Sequence, residues 1–398
     1  MNRLGVLQVG KFYPPHMGGI ETHLRNLCGE LAKSFRVDAL VANDGRDTSD
    51  EIDGEVYVRR AGTLGVVASA PLSPGLFSGI RHSDADILHL HLPNPAATLA
   101  VLASNYRGAV ITTYHSDVVR QKVLAACFEP FLNAILSRSS AIICTSQRYL
   151  ESSPALARFR EKCVVIPYGI PVESVTDAEP EEVGAVRSRY GSNLILTVGR
   201  LVYYKGFEYL IDAMRHVNGR LLIIGDGSLR AALEKQIRDL DLSDRVELLG
   251  EIQNARLAPF YRAADIFAFP SIARSEAFGI VQIEAMACGL PIVNTDLDSG
   301  VPYVSRHGET GFTVPPRDPA ALADALNALL GGPVLRAQMA AAARRRVHEE
   351  FTVERMTQRT LSLYRAVLAG EKIPSGFLPV PIALRSGSAS AAKRTLAS

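Results

Sequence analysis

The chain has 398 residues, 47% of them hydrophobic and 21% charged, with 43 basic side chains against 41 acidic ones. That length exceeds what one hydrophobic core usually organises, so two domains are expected, and the composition is that of an ordinary globular protein. A formal net charge of +2 excludes the basic excess that argues for a nucleic-acid partner, and no apolar run approaches the ~18 residues that span a bilayer.

From the N-terminus, short apolar runs alternate with helical patterns. Strands are predicted over Gly5–Val9, Val37–Ala42, Val56–Arg59, Ile87–Leu90, Val110–Thr113, Ile142–Cys144 and Val164–Ile166, with amphipathic helices near Ile20–Lys33, Ala96–Ser104 and Val123–Ser137. The stretch "PYGIPVESVTDAEPEEVGAVRSRYGSN" is acidic and broken by Pro and Gly, as a linker leading into a short helix would be. The pattern then restarts with strands over Leu194–Val198, Leu221–Ile224, Val246–Leu248, Ile266–Phe269 and Pro291–Val293, and helices near Phe207–Arg215, Leu229–Leu240 and Gly279–Ala287. Two alanine-rich helical patterns follow Pro319, a third starts near Thr352, and the terminal "SGSASAAKRTLAS" reads as disordered. Strand and helix in alternation imply an α/β protein with two doubly wound, Rossmann-like halves, each a parallel sheet covered by helices.

Five cysteines without CxxC spacing, Cys28, Cys127, Cys144, Cys163 and Cys288, suit buried thiols in a reducing compartment better than disulfides or a zinc site. The start, "MNRLGVLQVGKFYPPH", lacks a signal-peptide core. The expectation is a cytoplasmic protein, at most peripheral to the inner face of the plasma membrane. A local basic excess (Arg120, Lys122, Arg138, Arg148, Arg158, Arg160 and Lys162 against Glu129, Glu151 and Glu161) fits either a solvated helical face or contact with an anionic membrane.

Open parallel sheets bind ligands at the carboxyl ends of their strands, so the chemistry is sought in post-strand loops. In "GKFYPPHMGGIETHL", Gly18 and Gly19 expose backbone amides before a helix whose positive end could receive an anion, although such a pair is equally a plain turn. The spacing is neither a dinucleotide fingerprint nor a Walker loop. His115 in "TTYHSD" follows a strand, where it is either a hydrogen-bond donor to a ligand or a satisfied structural residue. In "LTVGRLVYYKGF", Arg200 and Lys205 place a planar fork and a point charge where a diphosphate could be neutralised. "IGDGSLR", with Gly225 and Gly227, reads as a structural turn. In "SEAFGIVQIEAMACGLPIV", Glu276 and Glu284 bracket a helix start at Phe278, Gly279 and Ile280, a set suited to phosphate or hydroxyl oxygens and to sugar diols.

These residues carry a resemblance. Glu276 and Glu284 around "AFGIVQI" form the E-x7-E signature of retaining glycosyltransferases, and "GGIETHL", "YHSD", "VGRLVYYKG", "IGDGSLR" and "MACGLPIV" occur in the order expected of glycosyltransferase family 4. The similarity runs to about Gly370, and "HLHLPNP" with "NTDLDSGVPYVSRHGETGFTVPP" looks most like bacterial mannosyl or rhamnosyl transferases of surface polysaccharide assembly. The resemblance implies a GT-B fold: an acceptor domain (1–170), a linker (171–192), a donor domain (193–351), a helix crossing back to the first domain (352–370) and a disordered tail (371–398). It also implies transfer from a nucleotide diphosphate sugar with retention, no cofactor and no catalytic metal.

Carried onto matching positions, Arg200 and Lys205 neutralise the leaving diphosphate, Glu284 binds ribose and Glu276 binds donor-sugar hydroxyls. Amides around Phe278, Gly279 and Ile280 hold sugar and phosphate, those of Gly18 and Gly19 approach the diphosphate, and His115 contacts the sugar near the reacting centre. The donor favoured by the resemblance is GDP-mannose, with a UDP-sugar glucosyl or N-acetylglucosaminyl transferase as the alternative. A nucleotide-sugar epimerase and a catalytically silent glycan-binding relative stand further off. The acceptor implied is a lipid-linked saccharide. The apolar connection holding Leu64, Val66, Val67, Leu72, Leu76, Phe77 and Ile80 reads as core or, alternatively, as contact with a lipid carrier or bilayer.

Overall fold

A computed structural model describes residues 3–16, 18–67, 70–117, 122–371, 373 and 376–377. The strands of the first half are β1 (Gly5–Val9), β2 (Arg36–Ala42), β3 (Ser49–Asp53), β4 (Val56–Ala61), β5 (Val66–Val67), β6 (Ala70–Pro71), β7 (Ile87–Leu92), β8 (Ala109–Tyr114), β9 (Ala141–Cys144) and β10 (Cys163–Val165). Those of the second half are β11 (Leu194–Val198), β12 (Arg220–Ile224), β13 (Val246–Gly250), β14 (Ile266–Phe269), β15 (Ile292–Thr295) and β16 (Gly311–Val314), and β17 (Gly376–Phe377) closes the list.

The first sheet has the order β17-β10-β9-β8-β7-β1-β2-β4-β3, and the second β13-β12-β11-β14-β15-β16. Within the nine-stranded sheet all pairings are parallel except β3 with β4. β1, β7, β9 and β10 are buried throughout, and β8 at all but its first residue, Ala109, as runs covered on both faces must be. Strand order reverses between β1 and β7 in the first sheet and between β11 and β14 in the second, and crevices at such switch points accept ligands.

Five strands were not expected from the sequence: β3, β5, β6, β16 and β17. β3, "SDEID", is exposed at four of its five positions and carries no apolar alternation to announce it; it is held as an antiparallel edge. β16 was equally silent because four residues show no clear period. In the tail expected to be disordered, Gly376–Phe377 instead add a strand beside β10; the rest of that expectation lies outside the described residues.

The helix expected to cross back runs Val353–Leu368, with Thr352 as N-cap accepting from the Arg355 amide. Its Tyr364 is fully buried in the core of the first half beside Leu24, Leu27 and Phe35. The chain passes Gly169 so closely there that a Cβ at residue 169 would run into the Thr352 backbone, and Ile170 bridges to Thr352. Of the cysteines read as suiting buried thiols, Cys28, Cys144 and Cys163 are buried and free, Cys288 is partly buried and Cys127 is exposed.

The basic excess resolves mainly into structural contacts. Arg138 caps the Val101 and Tyr106 carbonyls, Lys162 donates to the Ser137 and Ser139 carbonyls, and Arg160 donates to the Glu151 carbonyl. Arg148 reaches the other half, pairing with Asp296 at 2.7 Å and Asp298 at 3.3 Å. Arg120 lies outside the described residues.

Candidate active site

The loop after β11 turns at Gly199, and Tyr203–Lys205 form a short 3-10 turn ended by Gly206 in the left-handed region, at φ +68°. Glycine is required at 206, because a side chain there would meet the Pro270 carbonyl. This turn is stitched to the loop after β14: Ile272 donates its amide to the Tyr204 carbonyl at 2.8 Å, and Tyr203 Oη lies 3.2 Å from Ser275 Oγ. The result brings Lys205 Nζ to 2.6 Å from Glu276 Oε2, each side chain 12% exposed. Two residues 71 positions apart, one expected to bind phosphate and the other sugar, thus form one ion pair in a partly desolvated site. The ammonium also lies 4.9 Å from the Phe269 ring centroid, and a Cβ at position 199 would be 3.3 Å from Lys205 Nζ. Arg200 is exposed nearby, its guanidinium donating to Tyr204 Oη at 3.3 Å.

Beyond Glu276 the chain turns through Phe278 and Gly279 into the helix Ile280–Ala287, whose start no side chain caps. Gly279 sits at φ +82°, and a Cβ there would lie 2.7 Å from the Phe269 ring. Gln282 ties this turn down by donating to the Phe278 carbonyl and accepting from Asn294. Opposite lies the helix Gly19–Ala32, also without a side-chain cap on its first turn. The two helix starts meet: a Cβ at Gly19 would be 3.4 Å from Ile280 Cδ1. Two positive helix ends therefore converge on one crevice, a placement that favours an anion. Glu21 folds back over Gly18 at the first of these ends, so an incoming anion would have to displace its carboxylate.

Lys11, which the sequence reading did not single out, joins the cations. Burial lowers its pKa, the Glu21 carboxylate opposes that shift, and the Arg200 charge lowers it further, so Lys11 and Arg200 feel each other across the crevice.

Glu284 lies about a turn into its helix, and Tyr261 Oη donates to its Oε2 at 2.8 Å. Burial raises the Glu284 pKa and the tyrosine hydrogen bond restrains the rise. One carboxylate oxygen is thereby fixed and the other is left to a ligand. We expect Tyr261→Phe to raise the donor KM several-fold, with the loss of binding on acidification setting in at higher pH than in the wild type. The direction follows because the variant removes the interaction that lowers the Glu284 pKa; initial rates against donor concentration between pH 5.5 and 8 measure it.

His115 is placed differently from the remaining residues. It is buried, with Nδ1 against Tyr168 Oη and Nε2 at 2.9 Å from His91 Nδ1, so both ring nitrogens are engaged inside the protein. Gly225 and Gly227 pack directly on the backbone of Gly199 and Leu201, which suits their reading as a structural turn. Two contacts between the halves flank the crevice: Arg274, next to the Glu276 loop, pairs with Asp117 of "YHSD" at 2.9 Å, and Phe278 packs on Tyr168 with ring centroids 5.0 Å apart.

A sequence profile described as Glycosyltransferase Family 4 matches residues 17–174, and one described as Glycosyl transferases group 1 matches residues 179–346. The D-rhamnosyltransferase WbpZ of Pseudomonas aeruginosa is 32% identical over 354 residues, covering 87% of this chain and 92% of its own. The chain belongs to glycosyltransferase family 4. This glycosyltransferase is also 29% identical to the O-antigen chain mannosyltransferase C of Escherichia coli, over 91% of this chain and 98% of that one. Among solved structures, sucrose-phosphate synthase from Thermosynechococcus elongatus superposes with a TM-score of 0.78 at 24% identity, over 93% of this chain and all of the other. The fold is GT-B, as the sequence motifs implied.

Proposed function

We propose that this glycosyltransferase moves a mannosyl residue from GDP-mannose, with retention of anomeric configuration, to a lipid-linked or polysaccharide acceptor of the bacterial surface. The observation that carries the reading is the Lys205–Glu276 pair at 2.6 Å, set between two facing helix starts. Arg200 and Lys205 neutralise the departing diphosphate, and the amides at Gly18, Gly19, Phe278, Gly279 and Ile280 supply donors to its oxygens and to the sugar. Fixed charges in a partly desolvated site stabilise a leaving anion without any reorganisation of the protein. Glu284, steadied by Tyr261, accepts from the ribose diol, and Glu276 accepts from donor-sugar hydroxyls. No nucleophilic side chain is assigned; the leaving phosphate oxygen takes the proton of the incoming hydroxyl on the same face of the sugar. Mannose is favoured because the E. coli relative is named a mannosyltransferase, as is a phosphatidyl-myo-inositol mannosyltransferase of Mycobacterium leprae, 32% identical over 85% of this chain.

The test is a panel of GDP-mannose, GDP-fucose, UDP-glucose, UDP-N-acetylglucosamine and dTDP-rhamnose, assayed for binding and slow hydrolysis without added metal. GDP-mannose alone should bind at micromolar concentration and be hydrolysed. Preference for UDP-glucose or UDP-N-acetylglucosamine would move the assignment to the alternative donor class.

For the acceptor, the apolar connection divides in two. Leu76 and Ile80 are core, whereas Leu64, Val66, Val67 and Leu72, in and around the β5–β6 hairpin, are 47 to 64% exposed. We assign this hairpin to contact with the lipid of the acceptor or the bilayer that holds it, since no helix among the described residues is long and apolar enough to cross a membrane. Replacing Leu64, Val66 and Val67 by serine should cut sedimentation with anionic vesicles several-fold and leave donor hydrolysis unchanged; equal sedimentation of the variant and the wild type would remove the hairpin from this role.

A further inference from the structure

Beneath the crevice runs a buried chain of hydrogen bonds that no step above uses. Tyr168 Oη meets His115 Nδ1, His115 Nε2 lies 2.9 Å from His91 Nδ1, and His91 Nε2 lies 2.9 Å from Gln8 Oε1. On the other side of the amide, Gln8 Nε2 donates to Tyr364 Oη at 2.9 Å, Tyr364 Oη lies 2.6 Å from His89 Nδ1, and His89 Nε2 lies 2.6 Å from Thr113 Oγ1. The chain thus joins the domain interface at Tyr168, three strands (β1, β7 and β8) and the crossing helix Val353–Leu368.

Proton counting makes this chain directional. A neutral imidazole has one donor and one acceptor nitrogen, and a carboxamide oxygen only accepts. Gln8 Oε1 therefore requires His91 to carry its proton on Nε2, which leaves His91 Nδ1 as a lone pair. His115 must then donate from Nε2, and its Nδ1 accepts from the Tyr168 hydroxyl. On the far side, Gln8 donates to Tyr364, Tyr364 to His89 Nδ1, and His89 Nε2 to Thr113. Turning the Gln8 amide would reverse every one of these bonds together, so one side chain that cannot titrate sets the state of three histidines, His91 and His115 on one side and His89 on the other.

The same rings could suggest a metal site, because ligating atoms of His23, His91 and His115 fall within 4.8 Å of one another and neither nitrogen of His23 has a hydrogen-bond partner. His91 and His115 already satisfy each other and their outer partners, however, so a cation would have to break a closed chain to enter.

We propose that Gln8, His91 and Tyr168 are positioning residues that hold His115 as the neutral Nε2–H tautomer, so that it offers a lone pair, not a proton, on the side facing Tyr168 and the donor loop. This rests on His115 contacting the donor sugar, as the family resemblance implies, and assigns the ring an accepting side where the sequence left open a donor or a purely structural residue. Tyr168 packs on Phe278 of that loop, so the bond from its hydroxyl to Nδ1 ties the His115 ring to the donor loop. The titratable neighbours are His23 from the first helix, His89 and His91 from β7, Tyr364 from the crossing helix, and Cys144, Glu21 and Glu276, whose charges reach Tyr168. Burial depresses the pKa values of His115 and His91 well below the usual range, and the neighbouring imidazoles add to this, so both stay neutral in ordinary buffers.

The experiment uses full-length enzyme labelled with [15N]histidine, as wild type, Gln8→Glu and Tyr168→Phe. Long-range 15N–1H spectra read tautomer and charge without any substrate. Wild-type His91 and His115 should both appear as neutral Nε2–H forms from pH 8 to 5.5. A carboxylate at residue 8 should draw a proton onto the histidine pair, so that in Gln8→Glu the pair titrates above pH 6 and donor hydrolysis falls at least tenfold between pH 8 and 6, where the wild type changes less than twofold. Tyr168→Phe should lower kcat for hydrolysis of the donor chosen by the panel about tenfold with a smaller change in KM. Nδ1–H tautomers, or wild-type titration near pH 6.5, would overturn the assignment. Correct tautomers with an unshifted Gln8→Glu rate profile would overturn the positioning role. The donor reading is judged apart, by whether wild type hydrolyses any donor of the panel. Stoichiometric zinc retained by the purified wild type, and lost on removing His23, would replace the chain by a metal centre.

Discussion

Glu276→Ala is expected to abolish transfer while leaving nucleoside diphosphate binding intact or tighter. The carboxylate has two effects that act in opposite directions. In the free enzyme it pairs with Lys205 at 2.6 Å, with each group only 12% exposed, and so neutralises the cation intended for phosphate. With donor bound, it is the acceptor assigned to the sugar hydroxyls. Removing it frees Lys205 to attract an anion, and two unit charges 4 Å apart interact by about 4 kcal/mol at an effective dielectric near 20. Loss of one positioned group at the reacting centre typically costs about 10²–10³ in kcat. Calorimetric titration with GDP should therefore give a dissociation constant equal to or below that of wild type, while initial rates fall by about 10³-fold. A variant that keeps turnover within about threefold would show Glu276 to be a structural partner of Lys205 and nothing more.

Lys205→Ala should be more damaging still to kcat/KM, by about 10³–10⁴-fold, because it both deletes the cation and leaves Glu276 unpaired. Removing one partner of a buried pair costs about 3–5 kcal/mol through the charge left behind, and here the remaining anion would also repel the incoming diphosphate. The double variant Lys205→Ala/Glu276→Ala should consequently bind GDP more tightly than Lys205→Ala alone, a coupling that a double-mutant cycle reads directly. Lys205→Arg should not rescue. The ammonium sits close above Gly199 and 4.9 Å from the Phe269 ring, and the wider guanidinium does not occupy that space as a compact point charge. If Glu276→Ala changes GDP affinity by the same factor in the Lys205→Ala background as in the wild type, the two residues act independently.

Much of this arrangement was legible because it depends on local pattern. The buried parallel strands announced themselves as short apolar runs: Gly5–Val9, Leu194–Val198 and Ile266–Phe269 are found at the expected residues. The crossing helix was expected to start near Thr352, which the structure shows to be its N-cap. The loops bearing Arg200, Lys205, Glu276 and Glu284 were visible as glycine-punctuated strand ends with charge. β3 and β16 were not, since an exposed acidic edge strand and a four-residue strand owe their pairing to partners distant in sequence.

What lay beyond the sequence is the partnership among these groups. Nothing in the spacing of Lys205 and Glu276 says that they form an ion pair; that depends on Gly206 letting one loop touch the backbone of another. Lys11 gave no signal because its relation to Arg200 exists only when the two halves face each other. Tyr261 was not singled out in the sequence, yet its hydroxyl fixes Glu284. His115 is the sharpest case: the motif identified the residue, but its hydrogen-bonding sense is set by Gln8 on β1, His91 on β7 and Tyr168 beyond β10. By itself the sequence determined the two wound halves, the family and which residues carry charge, because these follow from local periodicity and motif order. Only the tertiary structure decided which charges neutralise each other and which nitrogen holds a proton, because hydrogen bonds and ion pairs form across 2.6 to 2.9 Å between side chains that the chain itself keeps far apart.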